Sequence, residues 1–141
     1  MNTSKNMLVA AIVSSGLIFS SAGHANEYVR EVDYQLAAVA SGQYVTYQHI
    51  GRLQRGRAHT LNIYLHGGVP YTIYGRCDRD CVDMDLELRD ENNNPIDWDL
   101  DMDAIPVVVN TPSWSGPFTL KVTIPDCRAN WCTYGVVAVA Q

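Results

Sequence analysis

The sequence predicts an all-β fold, an antiparallel β-sandwich of the jelly-roll type that follows one short helix. The first observation is a period-two alternation of apolar and polar residues, which recurs from residue 45 onward and is typical of half-buried strands. The second is the short spacing of the turn-forming Gly, Asn, Pro and Ser clusters between these runs. The third is composition, because 141 residues that are 47% hydrophobic and 18% charged exclude a disordered chain and predict one small domain.

Residues 1–25 predict a signal peptide. Lys5 provides the positive start, an apolar segment follows, and Gly23 and Ala25 form a cleavage site before Asn26. The apolar segment is shorter than the roughly 20 residues that span a bilayer, which favours a signal over a membrane anchor. We therefore expect an exported protein, periplasmic or secreted, with no membrane span in the mature chain.

The mature chain is predicted to have two parts. Residues 26–50 form an N-terminal extension that ends in the first strand. Within it, Val32 and Leu36 share one face of a short helix over residues 31–40, although irregular structure packed over one end of the sheets also explains the pattern. Residues 51–141 form the sandwich domain.

Alternating runs identify the rows that face the core of this domain. The clearest rows are Leu61, Ile63 and Leu65, then Phe118, Leu120, Val122 and Ile124, and finally Tyr134, Val136, Ala138 and Ala140. A turn at the Asn-Asn-Asn-Pro sequence of residues 92–95 predicts a hairpin between the strands on either side. Short strands at this spacing indicate two packed antiparallel sheets.

Four cysteines lie in the mature chain, with the spacings C-x3-C and C-x4-C. Export places them in an oxidising compartment, so disulfide bonds are favoured over a structural zinc site. Three pairings are possible. We favour the two local bonds, Cys77–Cys81 and Cys127–Cys132, because each would close a short loop between two predicted strands.

Negative charge is concentrated in one part of the chain. Residues 78–103 carry nine Asp and two Glu against two Arg, a net charge of −9 in a chain whose total is −5. In the first predicted strand of this segment, Met84, Leu86 and Leu88 alternate with acidic residues. In the second, Ile96, Trp98, Leu100 and Met102 alternate with Asp97, Asp99, Asp101 and Asp103. Alternation predicts that both apolar rows face the core and both acidic rows face solvent.

Two interpretations of the acidic rows remain open. The first is a solvated face that keeps the protein soluble and is partly neutralised by arginines, namely Arg52, Arg55, Arg57, Arg76 and Arg89. The second is a calcium site, since calcium takes six to eight oxygen ligands from carboxylates and carbonyls. The best candidate ligands are Asp78, Asp80, Asp83 and Asp85, because the loop between Cys77 and Cys81 can turn carboxylates and carbonyls toward one point.

Five short motifs occur in order within residues 51–140. They are Gly51-Arg-Leu-Gln-Arg-Gly56, Tyr71-Thr-Ile73, Asp83-Met-Asp-Leu86, Gly116-Pro-Phe-Thr-Leu-Lys-Val122 and Tyr134-Gly-Val136. In this order they resemble the bacterial pre-peptidase C-terminal (PPC) domain, with the four cysteines as a subgroup trait. The resemblance implies a secreted β-sandwich that aids secretion, targeting or attachment to a substrate. Collagen-binding relatives in that family bind calcium through acidic residues, which implies the same ligand here.

Two tryptophans lie in predicted loops and are candidate ligand contacts. Trp114 lies in a turn-rich loop, and Trp131 lies between Cys127 and Cys132. An exposed loop tryptophan can stack on a sugar or hold a peptide side chain, whereas a buried one caps the core.

Catalytic and nucleic-acid-binding patterns are weak in this sequence. It contains no HExxH and no GxSxG, and its cysteines are expected to be oxidised. Its net negative charge argues against binding to nucleic acid, whose phosphates it would repel. We therefore predict an exported, non-enzymatic binding or accessory module, with calcium as its one candidate cofactor and a protein or a polysaccharide as its partner. The alternatives are a structural periplasmic protein with a solvated acidic face and, third, a small hydrolase.

Overall fold

The computed structural model describes residues 21–141. Within this range the chain forms one helix and eight strands. Their bounds are α1 Ser21–Val39, β1 Tyr44–Gln54, β2 Ala58–Leu65, β3 Tyr71–Cys77, β4 Cys81–Arg89, β5 Pro95–Asp99, β6 Val107–Asn110, β7 Gly116–Cys127 and β8 Trp131–Ala140. Most of the predicted signal peptide lies outside the described residues, so it stays a prediction.

The strands form two four-stranded antiparallel sheets, ordered β1-β8-β3-β6 and β2-β7-β4-β5. The pairing is nested, because β4 pairs with β5, β3 with β6, β2 with β7 and β1 with β8. A long hairpin folded over in this way is a jelly roll. The predicted all-β sandwich is therefore confirmed.

The core lies between the two sheets and is built from the predicted alternating rows. Three strands of the second sheet supply most of it, since β2, β4 and β7 each bury every second side chain. The buried rows are Leu61, Ile63 and Leu65, then Met84, Leu86 and Leu88, and then Phe118, Leu120, Val122 and Ile124. Residues Asp83, Asp85 and Glu87 of β4 face outward, as predicted.

The helix is longer than predicted and covers the outer face of the first sheet. Val32 and Leu36 are fully buried and pack with Val137 and Val139 of β8. Gly135 permits this approach, because a Cβ there would lie 2.6 Å from Val32 Cγ1. Within residues 21–141, no helix has the length and hydropathy of a membrane span.

This helix changes the prediction for the last strand. Every residue from 132 to 139 is buried. Tyr134, Val136 and Ala138 face the core between the sheets, as predicted, but Val137 and Val139 are buried beneath the helix. The alternation described one face of this strand correctly and missed that the second face is also covered.

The prediction for the second acidic strand is wrong. The hairpin forms at the Asn-rich turn, where Asn93 has a positive φ of 64°, but β5 ends at Asp99. Trp98 pairs with outward-facing Glu87 and is 55% exposed, whereas Asp97 pairs with buried Leu88. Leu100 and Met102, which were predicted to face the core, are exposed as well, and of the predicted inward row only Ile96 packs against the core.

Both predicted disulfide bonds are confirmed. Cys77 is bonded to Cys81, and Cys127 to Cys132. Cys81 and Cys127 are also opposite each other in the pairing of β4 with β7. The two bonds therefore lie side by side at one end of the sandwich.

Candidate functional site

The sandwich has two sides where the edge strands of its sheets meet. Strands β5 and β6 lie at one side, and β1 and β2 lie at the other. Sheet edges and the loops beside them carry the unpaired backbone groups and exposed side chains that partners use. Each side is therefore a candidate site.

Residues 97–109 form what we call the acidic edge, which comprises the end of β5, the following loop and most of β6. Six large apolar side chains are exposed along it, and Met102 is 91% exposed. They are Trp98, Leu100, Met102, Ile105, Val107 and Val109. Four carboxylates lie among them, at Asp97, Asp99, Asp101 and Asp103. Exposed apolar groups concentrated among charges mark an interaction surface.

Two of these carboxylates join the sheets. Asp99 Oδ2 accepts a hydrogen bond from Val107 N at 2.9 Å, and Asp97 Oδ2 accepts one from Val109 N at 2.7 Å. Each bond connects β5 in one sheet to β6 in the other. The acidic residues therefore fix the backbone from which Trp98, Val107 and Val109 project.

More negative charge lies beside the acidic edge, on the outer face of β4. Burial, together with the carboxylates of Asp103 and Asp126, raises the pKa of Asp83. Burial, together with the carboxylates of Asp83 and Asp99, raises the pKa of Asp85. Burial is the larger cause of both pKa shifts, and repulsion between neighbouring carboxylates adds to it. A cationic partner would relieve that repulsion.

The four predicted calcium ligands have different surroundings. Asp78 is buried, and its carboxylate accepts hydrogen bonds from Thr133 N at 2.5 Å and Asp80 N at 3.0 Å. Asp80 Oδ2 accepts a hydrogen bond from Tyr28 Oη of the helix at 3.0 Å. The Oδ1 atoms of Asp83 and Asp85 are buried without a hydrogen-bond partner.

These carboxylates are not gathered around one point. Among residues 21–141, no group of three His, Cys, Asp or Glu side chains is placed to hold a metal ion. Asp78 and Asp80 support the loop between Cys77 and Cys81, whereas Asp83 and Asp85 lie on the face of β4. Calcium binding by this set stays a prediction.

The two candidate tryptophans are not in one site. Trp114 precedes β7 and Trp131 follows it, so a strand of 12 residues separates them. Trp114 stacks on Phe118 and donates a hydrogen bond to Glu91 Oε2 at 3.1 Å. Trp131 lies beneath the guanidinium of Arg52. Both are partly exposed, but each belongs to a local cluster.

A cleft that the sequence did not indicate lies on the side of β1 and β2. It has a volume of about 460 Å3, and its walls include Tyr44, Thr46, Tyr64 and His66. We call it the tyrosine cleft. Its tyrosines occupy ordinary strand positions in the sequence. The pairing of the two sheets brings them together, which no local pattern shows.

Three histidines of the described strands and loops, His49, His59 and His66, form no pair with a carboxylate. His59 Nδ1 is hydrogen-bonded to Tyr134 Oη at 2.5 Å, and the rings of His49 and His59 are in edge contact. Burial and then His59 lower the pKa of His49. His66 lies in the tyrosine cleft, where its ring contacts Tyr64. In the part of the chain that the structure describes, none of His49, His59 and His66 is hydrogen-bonded to an Asp or Glu.

Comparisons with known proteins show the fold. The chain is similar to Aeromonas hydrophila PliG, a periplasmic lysozyme inhibitor of g-type lysozyme, with a TM-score of 0.52 and 13% sequence identity. The match covers 72% of this chain and 90% of that chain. No protein-family model matches the sequence. No curated protein matches it either. The resemblance to the PPC domain therefore stays a prediction.

Proposed function

We propose that this chain is an exported, non-enzymatic module that binds a protein through its acidic edge. The observation that carries the proposal is the row of exposed apolar side chains among carboxylates at residues 97–109. Apolar and aromatic anchors supply most of the binding energy of a protein interface, whereas surrounding charges select the partner. The partner is therefore a protein with an apolar recess and a cationic rim.

We further propose a g-type lysozyme as that partner, with the chain acting as its inhibitor. Support comes from the fold shared with PliG, whose stated target is this enzyme. Export, predicted from residues 1–25, would place the chain in the compartment that the neighbour occupies. The identity of 13% is too low to carry over any residue of that inhibitor, so the proposed interface rests on the residues of this chain alone.

Inhibition of lysis tests the proposal. Full-length protein, titrated into a g-type lysozyme acting on a suspension of bacterial cell walls, is expected to stop the loss of turbidity near equimolar ratio. Trp98→Ala and Met102→Ala are each expected to weaken inhibition about tenfold or more, because both side chains are exposed anchors. Tyr64→Ala, an equally exposed aromatic on the opposite side, is the matched control and is expected to inhibit fully.

The salt dependence of binding separates the contribution of the carboxylates from that of the apolar anchors. Raising NaCl from about 0.05 M to about 0.5 M is expected to slow association, because it screens the carboxylates of the acidic edge. Undiminished lysis at a tenfold molar excess, with no complex detected by surface plasmon resonance, would overturn the lysozyme assignment. A complex that both Trp98→Ala and Met102→Ala leave unchanged would overturn the acidic edge as the interface.

A further inference from the structure

The tyrosine cleft contains a cluster of aromatic rings that the proposed protein interface does not use. Tyr44 is 75% exposed and Tyr64 is 58% exposed, and they belong to β1 and β2, which are edge strands of different sheets. The cleft volume of about 460 Å3 lies within the range of small-molecule sites. Two solvent-exposed rings beside such a space can hold a flat, partly apolar ligand between them.

The lining of the cleft is about equally polar and apolar, and it carries no acidic or basic side chain apart from the imidazole of His66. Three phenols and the hydroxyl of Thr46 supply donors and acceptors. The phenol of Tyr71 already accepts a hydrogen bond from His66 N at 3.0 Å and keeps its own hydrogen to donate. This chemistry matches a ligand that has many hydroxyl groups and no charge. The uncharged lining of the cleft contrasts with the acidic edge, whose carboxylates favour a protein partner with a cationic rim.

A β-bulge shapes the wall that Thr46 forms. The pairing of β1 with β8 shifts by one residue between Val45 and Tyr47, which leaves Thr46 as the extra residue. Its hydroxyl donates to Ala138 O at 3.2 Å. Bulges at sheet edges change the direction of neighbouring side chains and are frequent beside functional sites. Here the bulge lies next to Tyr44, the most exposed ring of the cleft.

We propose that the tyrosine cleft binds a sugar ring of a neutral polysaccharide. The faces of Tyr44 and Tyr64 contact the apolar C–H faces of the sugar. The hydroxyl of Thr46, which donates to Ala138 O, accepts a hydrogen bond from a sugar hydroxyl, and the hydroxyl of Tyr71, a residue that is only 3% exposed, donates one. The cleft is open at the surface, so a chain of sugars can continue beyond the bound ring. This site is independent of the acidic edge, because the two lie at opposite edges of the same sheets.

The test uses the full-length protein and defined oligosaccharides. Binding of cellotetraose, maltotetraose and chitotetraose is measured by isothermal titration calorimetry, with tetragalacturonate as the charged counterpart. We expect at least one neutral oligosaccharide to bind and tetragalacturonate to bind more weakly. Tyr44→Ala and Tyr64→Ala are each expected to weaken binding about tenfold, since each removes one stacking surface.

Two control variants keep the result specific. Tyr34→Ala removes a ring of the helix that is 78% exposed and lies outside the cleft, and Trp98→Ala removes an anchor of the acidic edge. Both are expected to bind the sugar as the unaltered protein does. The proposal is overturned if no neutral oligosaccharide binds up to about 10 mM. Full binding by the Tyr44→Ala/Tyr64→Ala double variant, or tighter binding of tetragalacturonate, overturns it equally. None of these results depends on whether lysozyme is inhibited.

Discussion

Asp78 and Asp83 show how far the surroundings decide what an aspartate does. The sequence grouped them as ligands of one cation. In the structure, Asp78 is buried and its two oxygens accept hydrogen bonds from backbone N–H groups, so its charge supports the fold. Asp83 lies on the outer face of β4 beside other carboxylates, and its Oδ1 has no hydrogen-bond partner. The first residue stabilises a loop, whereas burial and the carboxylates of Asp103 and Asp126 raise the pKa of the second and so disfavour its charged form.

Replacing Asp83 or Asp85 with Asn is expected to stabilise the protein at neutral pH. Burial and neighbouring carboxylates raise the pKa of both groups above the ordinary value of 3.8. Their contribution to stability is therefore full below that value and is lost as the pH rises through the higher folded pKa. The free energy of unfolding, measured with urea at pH 7 and at about pH 3, should rise in the variants at pH 7 only.

The Asp83→Asn variant also tests the predicted calcium site, because there the loss of the carboxylate would remove a stabilising effect of calcium. If the predicted site forms, millimolar calcium raises the melting temperature of the unaltered protein, EDTA reverses the effect, and Asp83→Asn abolishes it. Asp101→Asn, which changes an exposed carboxylate outside the predicted set, should keep any calcium response. A melting temperature that calcium does not change would contradict the predicted site. A gain in stability at both pH values would contradict the charge argument.

Strand β5 was mispredicted because alternation gives the period of a strand but not its direction. The apolar residues Trp98 and Leu100 were placed inward on the assumption that burial is worth more to them than to aspartate. At this edge, the need of backbone N–H groups for hydrogen-bond acceptors outweighs the burial of these apolar side chains. The backbone N–H groups of β6 have no further strand to pair with, and the carboxylates of Asp97 and Asp99 accept their hydrogen bonds. A short-range pattern cannot show this, because β6 follows only after a loop.

Asp99→Ala is expected to loosen the junction of β5 with β6. It removes the acceptor of Val107 N, and a hydrogen bond to a charged group is worth about 1.5–3 kcal/mol, less at this partly exposed position. Hydrogen exchange should therefore accelerate at the amide of Val107, while the amides of β7 keep their protection. Asp101→Ala is the control and should change neither. Unaltered exchange at Val107 would show that the carboxylate does not hold the two strands together.

At the scale of the whole sandwich, the sequence predicted which side chains of a strand face the core between the sheets. It did not predict contacts between segments that are far apart in the sequence. The inner rows of β2, β4 and β7 follow from alternation alone, and the hairpin of β4 with β5 follows from the Asn-rich turn. The pairing of the other strands was not predicted, because it joins segments that are far apart in the sequence. The second buried face of β8 depends on Val32 and Leu36, which lie about a hundred residues earlier in the sequence. The tyrosine cleft likewise needs β1 and β2 from different sheets, so only the folded chain brings its walls together.

The two disulfide bonds are expected to stabilise the sandwich without being required for it. Each closes a loop of only a few residues, for which the loss of entropy in the unfolded chain predicts about 2 kcal/mol. The core between the sheets extends along the whole length of β7, far beyond the end where the bonds lie. Urea unfolding with and without a phosphine reductant should therefore show a lower midpoint but still one cooperative transition.

A variant that lacks one bond separates the two contributions. In Cys127→Ser/Cys132→Ser, reductant can break only Cys77–Cys81, so it should lower the free energy of unfolding by about half as much as in the unaltered protein. A departure from one half measures the coupling between the bonds, which adjacent sites commonly show and which the pairing of Cys81 with Cys127 makes direct. Loss of the cooperative transition on reduction would mean that the sheets alone do not maintain the fold. In that case the loop that holds Asp78 against Thr133, rather than the core, would be the part on which the sandwich depends.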